Sequence, residues 1–162
     1  MTDSLMDWVS QIDLFSKISD YIISIDILND GRYLTASTIT EDGSIDIQLP
    51  LEDIVYLIEY GTATFPGKFI LEHIVNWSAQ KLNDTIDTIY NGVFNLNWNL
   101  SNIDYSFQIL ENQINDYIRG YLGSYYETVQ FLHPVQEADR DISFLMDISI
   151  LQKYIRCKIS KK

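Results

Sequence analysis

Residues 21–50, YIISIDILNDGRYLTASTITEDGSIDIQLP, decide the fold class. Ile23, Ile25 and Ile27 alternate with Ser24 and Asp26. The segment NDGR then supplies a turn, and RYLTASTIT is rich in β-formers. EDG at Glu41 to Gly43 turns the chain again, into Ile45, Ile47 and Leu49 alternating with Ser44, Asp46 and Gln48. The simplest expectation is three short antiparallel strands over residues 21 to 49, with one apolar face that needs a cover. Pro50 cannot donate to a ladder but suits the first turn of a helix, so the strand run ends there and a helix begins.

Helical periodicity flanks this stretch on both sides. Leu5, Trp8, Val9, Ile12 and Phe15 predict an N-terminal helix, and Leu51, Ile54, Val55 and Ile58 a second one stopping at Gly61. Leu71, Ile74, Val75, Ser78, Leu82, Ile86 and Ile89 mark a third, of five or six turns, ending near Asn91 and Gly92. FNLNWNLSN reads as a loop or short strand. Ser101 with Asp104 forms a capping-box pattern, after which Ile103, Phe107, Leu110, Ile114, Tyr117 and Tyr121 step by three or four through a fourth helix. The segment from Gly120 to Asp141 is expected to be a connection with a short element inside. Ile142, Phe144, Met146, Ile148 and Ile150 then alternate as a strand, and KYIRCKI continues extended after a bulge or turn near Gln152. The expected fold is α+β, a small antiparallel sheet packed by helices on one face, in a single domain over 1–162.

Composition bounds the chemistry. The 162 residues include 23 acids and 11 bases, a net charge of −12, so the surface repels phosphate and tight duplex binding starts with the wrong sign. Five of the bases lie in the last ten residues, Lys153 to Lys162, leaving 23 acids against 6 bases, or −17, over residues 1–152. That tail is either a solubilising terminus or an electrostatic complement to an acidic surface, its own or a neighbour's. One cysteine, Cys157, excludes an internal disulfide. The acidic N-terminus lacks the positive charge of a signal peptide, and no apolar run approaches the length of a membrane span, so a soluble product is expected.

Catalytic candidates are few. His73 and His133 have no HExxH spacing and, with Cys157, make no metal box. Glu137, Asp139 and Asp141 alternate around Arg140 but lack the frame of a calcium loop. No phosphate-cradling glycine motif and no nucleophile elbow is present, so no enzyme activity and no cofactor is expected. Of the 11 tyrosines, Tyr117, Tyr121, Tyr125 and Tyr126 cluster, with Tyr105 upstream, suiting either a protein contact or a boundary layer of the core.

The segment IEYGTATFPGKF, Ile58 to Phe69, is the most informative connection. Gly61 can take the left-handed conformation that closes the preceding helix, Thr62 to Phe65 are β-prone, Pro66 is rigid, and Gly67 bends the chain toward Lys68 and Phe69. An outreaching loop with Phe65 at its apex would meet a partner or fold back on the sheet.

Tyr56, Ile58, Glu59, Tyr60, Gly61 and Thr62, followed by Pro66, Lys68 and Phe69, resemble the "Y…VEYGT" and "P-x-R-P-F" motifs of the tail-completion or neck proteins of tailed bacteriophages, with Lys in place of Arg and without the second proline. Gly31, Leu34, Ser37 and Ile39 loosely match that family's "G-x-L-x-x-S-I" element, and the order of elements agrees. The resemblance spans roughly residues 20 to 90, within a neck-protein-like region 1–92, followed by a helix and strand extension at 93–162. It implies a structural virion protein of the head-tail connection, present in the virion and in the host cytoplasm during assembly. Such a protein would form a homo-oligomeric ring with other neck or tail proteins around a channel through which DNA passes. Glu59, Tyr60, Gly61, Thr62, Phe65, Pro66, Lys68 and Phe69 would then make the subunit contacts. From a different class, an acidic binding protein, whether inhibitor, immunity protein or DNA mimic, could act on a basic partner through the same charge. A small enzyme working through carboxylates is the third reading.

Overall fold

A computed structural model describes residues 2–28, 31–40, 43–61, 66–125, 128–135 and 140–162. The fold is α+β, as the periodicities predict. Four helices, α1 (Thr2–Ser16), α2 (Leu51–Tyr60), α3 (Ile70–Asn95) and α4 (Leu100–Gly123), accompany six strands: β1 (Tyr21–Ile27), β2 (Tyr33–Thr40), β3 (Gly43–Pro50), β4 (Thr128–Val135), β5 (Arg140–Asp147) and β6 (Ile155–Lys161). The strands form two sheets, one of order β3-β2-β5-β4 and one pairing β1 with β6. By its contacts the chain divides into two compact units, each assembled from segments distant in sequence, so neither unit coincides with 1–92 or 93–162.

The first unit contains residues 1–26, 74–117 and 156–162. Its core is Ile74, Ile89, Val93, Ile103, Phe107, Leu110 and Ile114, the inward stripes of α3 and α4, with Cys157 of β6. Phe15 of α1 packs edge-on against Tyr90, ring centroids 5.6 Å apart, and against Phe94 at 5.9 Å. α3 is 26 residues long, about seven turns, and does not end at Asn91–Gly92 as expected. Gly92 lies inside the helix because the Trp98 indole folds onto it, and any Cβ there would fall within the ring. The α4 cap also sits two residues earlier than Ser101 and Asp104. The Asn99 side chain accepts from the Asn102 amide at 3.2 Å, while the Asn102 side chain accepts from the Asn99 amide at 2.9 Å. This is a reciprocal capping box built from two asparagines.

The second unit contains residues 27–73 and 118–155. β2 and β3 pair antiparallel from Tyr33↔Pro50 to Thr40↔Gly43, as the alternation predicts. β1 does not join them. Its ladder with β6 runs antiparallel from Leu28 N–H bonding Tyr154 O to Lys162 N–H bonding Asp20 O. Alternation identifies a strand but not its partner. Over 120–141 the last turn of α4 is followed by a connection whose short element is β4, which pairs with β5 from Thr128↔Asp147 to Val135↔Arg140. β4 is an edge strand, the place in a sheet where a proline such as Pro134 is tolerated, and His133 lies within it opposite Ile142. The acidic positions Glu137 and Asp139 lie outside the described residues.

The strand expected to run through Ile150 stops at Asp147. Ile148–Lys153 is a 3₁₀ turn burying Ile148 and Leu151, three residues apart as that geometry requires. It supplies the turn expected near Gln152. At the end of α4 the buried stripe is Ile118 and Leu122 rather than Tyr117 and Tyr121.

Candidate functional site

The connection between α2 and α3 lies in the second unit and is built by reciprocal capping. α2 buries Leu51, Ile54, Val55 and Ile58 and ends with its last-turn carbonyls in need of partners from outside the helix. Gly61, at φ 80, donates its N–H to Leu57 O at 2.8 Å. The returning chain supplies the others: Lys68 N–H bonds Ile58 O at 2.8 Å and Phe69 N–H bonds Glu59 O at 3.2 Å. Gly67 passes so close that a Cβ would collide with Glu59 O and the Tyr60 backbone. An isolated bridge between Gly61 and Pro66 closes the base of the loop. Thr62 and Phe65, expected at its outer part, lie outside the described residues.

In the other direction, Glu59 caps α3. Its side chain is 4% exposed, and its two carboxylate oxygens accept the Leu71 N–H at 2.7 Å and the Glu72 N–H at 3.0 Å. The positive end of the helix dipole faces the carboxylate, which accounts for an acid buried with no ion pair among the described residues. Sequence reasoning placed Glu59 among contact residues. One signal pointed inward: PGKF, immediately before α3, holds no Ser, Thr, Asp or Asn to cap the helix, so the cap had to come from elsewhere.

With Glu59 turned inward, the outward surface belongs to the aromatics. Tyr56 is 63% exposed and Tyr60 62%, their ring centroids 4.8 Å apart one helical turn from each other. Pro66 is exposed. Phe69 is half exposed at 50% and holds φ at 50°, the left-handed region, which is a true outlier for a bulky side chain. Glu52 and Asp53, exposed in the first turn of α2, extend this face with negative charge.

The tyrosine cluster is largely absorbed within the chain. Tyr121 stacks on His73 with centroids 4.4 Å apart and meets Tyr125 edge-on at 5.7 Å. Tyr117 stacks on Trp77 at 3.8 Å, and Lys81 covers the opposite partner of that pair, 5.4 Å from the Trp77 ring. Tyr105 stands exposed, and Tyr126 lies outside the described residues.

In the first unit, α4 reads the outer edge of β6 with side chains. Asn115 accepts the Cys157 N–H at 2.8 Å and donates to Cys157 O at 3.0 Å, and Glu111 accepts the Ile159 N–H at 2.8 Å. Lys161 Nζ lies 2.7 Å from Asp104 Oδ1 and over the Tyr21 ring, while the Tyr21 hydroxyl donates to the same carboxylate. Hydrogen bonds from Lys161 and Tyr21 hold the Asp104 carboxyl below its ordinary range. Burial, and then that bond to Asp104, push the Tyr21 phenol up to about 12. Here the basic tail complements its own chain's acid. Cys157 is buried, and burial followed by the Glu111 and Asp26 charges pushes its thiol up to about 12, which leaves little thiolate.

Among the described residues no three His, Cys, Asp or Glu side chains group as a metal site, and no helix is long and apolar enough to cross a membrane. A groove of about 270 Å³ between α3 and α4 is lined by Lys81, Asp84, Thr88, Ser106 and Gln113. Thr88 and Ser106 direct their hydroxyls to the carbonyls of Asp84 and Asn102 within their own helices. Comparison of the chain with protein-family models, curated proteins and solved structures gives no match.

Proposed function

We propose that this chain is a structural interaction protein whose working surface is the aromatic face of Tyr56, Tyr60, Pro66 and Phe69, in the role of a phage neck or tail-completion subunit. The observation that carries the reading is Phe69. A bulky residue in left-handed backbone costs roughly 1–2 kcal/mol, and the strain holds an aromatic ring half in water. The backbone there is held by the Phe69 N–H bond to Glu59 O, while the exposed half of the ring gains nothing until a partner covers it. The motif resemblance supports a ring of copies at the head-tail junction, without enzyme activity or cofactor. The net charge of −12 suits a channel along which DNA slides without sticking.

Phe69→Gly separates the alternatives. Glycine relieves the φ strain, so the unfolding free energy in urea should hold or rise, by up to about 1 kcal/mol, while assembly into particles is lost. A marked loss of stability with normal assembly would show that the ring serves only its own core. Mass spectrometry of purified virions tests the class, and complete absence of the chain from particles overturns it. A salt-sensitive complex of fixed small stoichiometry with a basic protein would favour the inhibitor reading instead.

A further inference from the structure

Lys161 shows how this chain holds a base: a carboxylate, Asp104, at 2.7 Å and a tyrosine ring, Tyr21, 5.2 Å beneath. α2 displays the same two kinds of group, and among the described residues neither of its exposed acids makes an ion pair. Glu52 and Asp53 are exposed in its first turn, and Tyr56 and Tyr60 are exposed one and two turns further on. This is one continuous stripe, since residues three or four apart share a helix face.

β6 displays the converse. Cys157 is buried and Ile159 half-buried on its inner side, so Arg156 and Lys158 stand on the outward face, both exposed. Among the described residues neither makes an ion pair, whereas Lys161, on the other parity, does.

We propose that the α2 stripe of one copy docks on the outward face of β6 in a second copy, Glu52 and Asp53 meeting Arg156 and Lys158 over the rings of Tyr56 and Tyr60. The occupant is fixed by charge. The chain concentrates five bases in its last ten residues and carries −17 elsewhere, so copies of it are complementary to one another. The two surfaces are different, which makes the contact head-to-tail, the kind that closes into a ring or continues as a filament. The proposal rests on the reading of the chain as an oligomeric structural protein and names the contact that builds the oligomer.

Sedimentation of the full chain at low and high salt tests it, with circular dichroism confirming the fold of each variant. The wild type is expected to associate reversibly and to dissociate as salt rises. R156E/K158E and E52K/D53K should each weaken association about 100-fold or more, because like charges then face each other. The quadruple variant E52K/D53K/R156E/K158E should associate again, since both surfaces have exchanged sign. If either double variant associates like the wild type, or the quadruple variant stays monomeric, the contact is overturned. A wild type that is monomeric at every concentration yet present in virions overturns the contact alone. One that is monomeric and absent from virions overturns the functional reading as well.

Discussion

Glu59 and Asp104 both hold the end of another element, but by opposite means. Glu59 is buried, and its partners are two backbone amides at the start of α3. Asp104 is nearly half exposed, and its partners are the side chains of Lys161 and Tyr21 at the end of β6. A buried carboxylate that satisfies two helix-terminal donors leaves those part-buried donors without their partner when it is removed. An exposed carboxylate leaves its partners to solvent, which takes them back at little cost. One region is therefore a structural joint and the other a trim along a strand already held by β1.

The largest effect should come from the joint. Glu59→Ala removes both acceptors from the amides of Leu71 and Glu72 and is expected to cost about 3 kcal/mol in urea unfolding. Glu59→Gln keeps one good acceptor and should lose less than half as much. If Glu59→Ala unfolds within about 0.5 kcal/mol of wild type, the carboxylate is no cap and its motif returns to the list of contact residues.

Asn115 lies between the two extremes. Its amide makes both bonds to Cys157, at 2.8 and 3.0 Å, and it is partly buried, so Asn115→Ala should cost about 1–2 kcal/mol. Hydrogen exchange at the Cys157 and Ile159 amides should quicken, while β2 and β3 stay as protected as before. Equal loosening of both sheets would mean that the seam supports the whole chain rather than its own strand.

These ranks bear on what was readable from sequence. Helix stripes such as Ile54, Val55 and Ile58 were legible because burial enforces a period that composition displays. The β2–β3 hairpin was legible because its turn is local. β1 and β6 are separated by most of the chain, and no periodicity in either strand names the other. The C-terminal end of α3 was misread because Gly92, a usual stop signal, is there to seat Trp98, a contact that depends on the path of the following loop. At the candidate site, Tyr60, Gly61, Pro66 and Phe69 were visible as a motif, while the inward turn of Glu59 required knowing that α3 starts beside it. The strain at Phe69 leaves no trace in residue type, since aromatic residues rarely adopt that backbone.

The smallest effect should come from the trim, and pH brings it out. Asp104 has a depressed carboxyl, so its contribution to stability is present above the ordinary carboxylate range and is lost as pH falls through its lowered value. Tyr21 behaves in the opposite sense. Its phenol is raised from 10 to about 12, so between those values the native chain keeps a proton that the unfolded chain has released. The contribution is complete below pH 10 and disappears as pH rises through about 12. Tyr21→Phe should therefore flatten the alkaline limb of the unfolding midpoint while scarcely changing it at neutral pH. A difference titration of phenolate absorbance between wild type and Tyr21→Phe isolates this one hydroxyl, and Asp104→Asn should bring its midpoint down without restoring the ordinary value, because burial is the larger cause. An alkaline limb identical in wild type and Tyr21→Phe would mean that the hydroxyl is solvated, and the contrast with Glu59 would then rest on Lys161 alone.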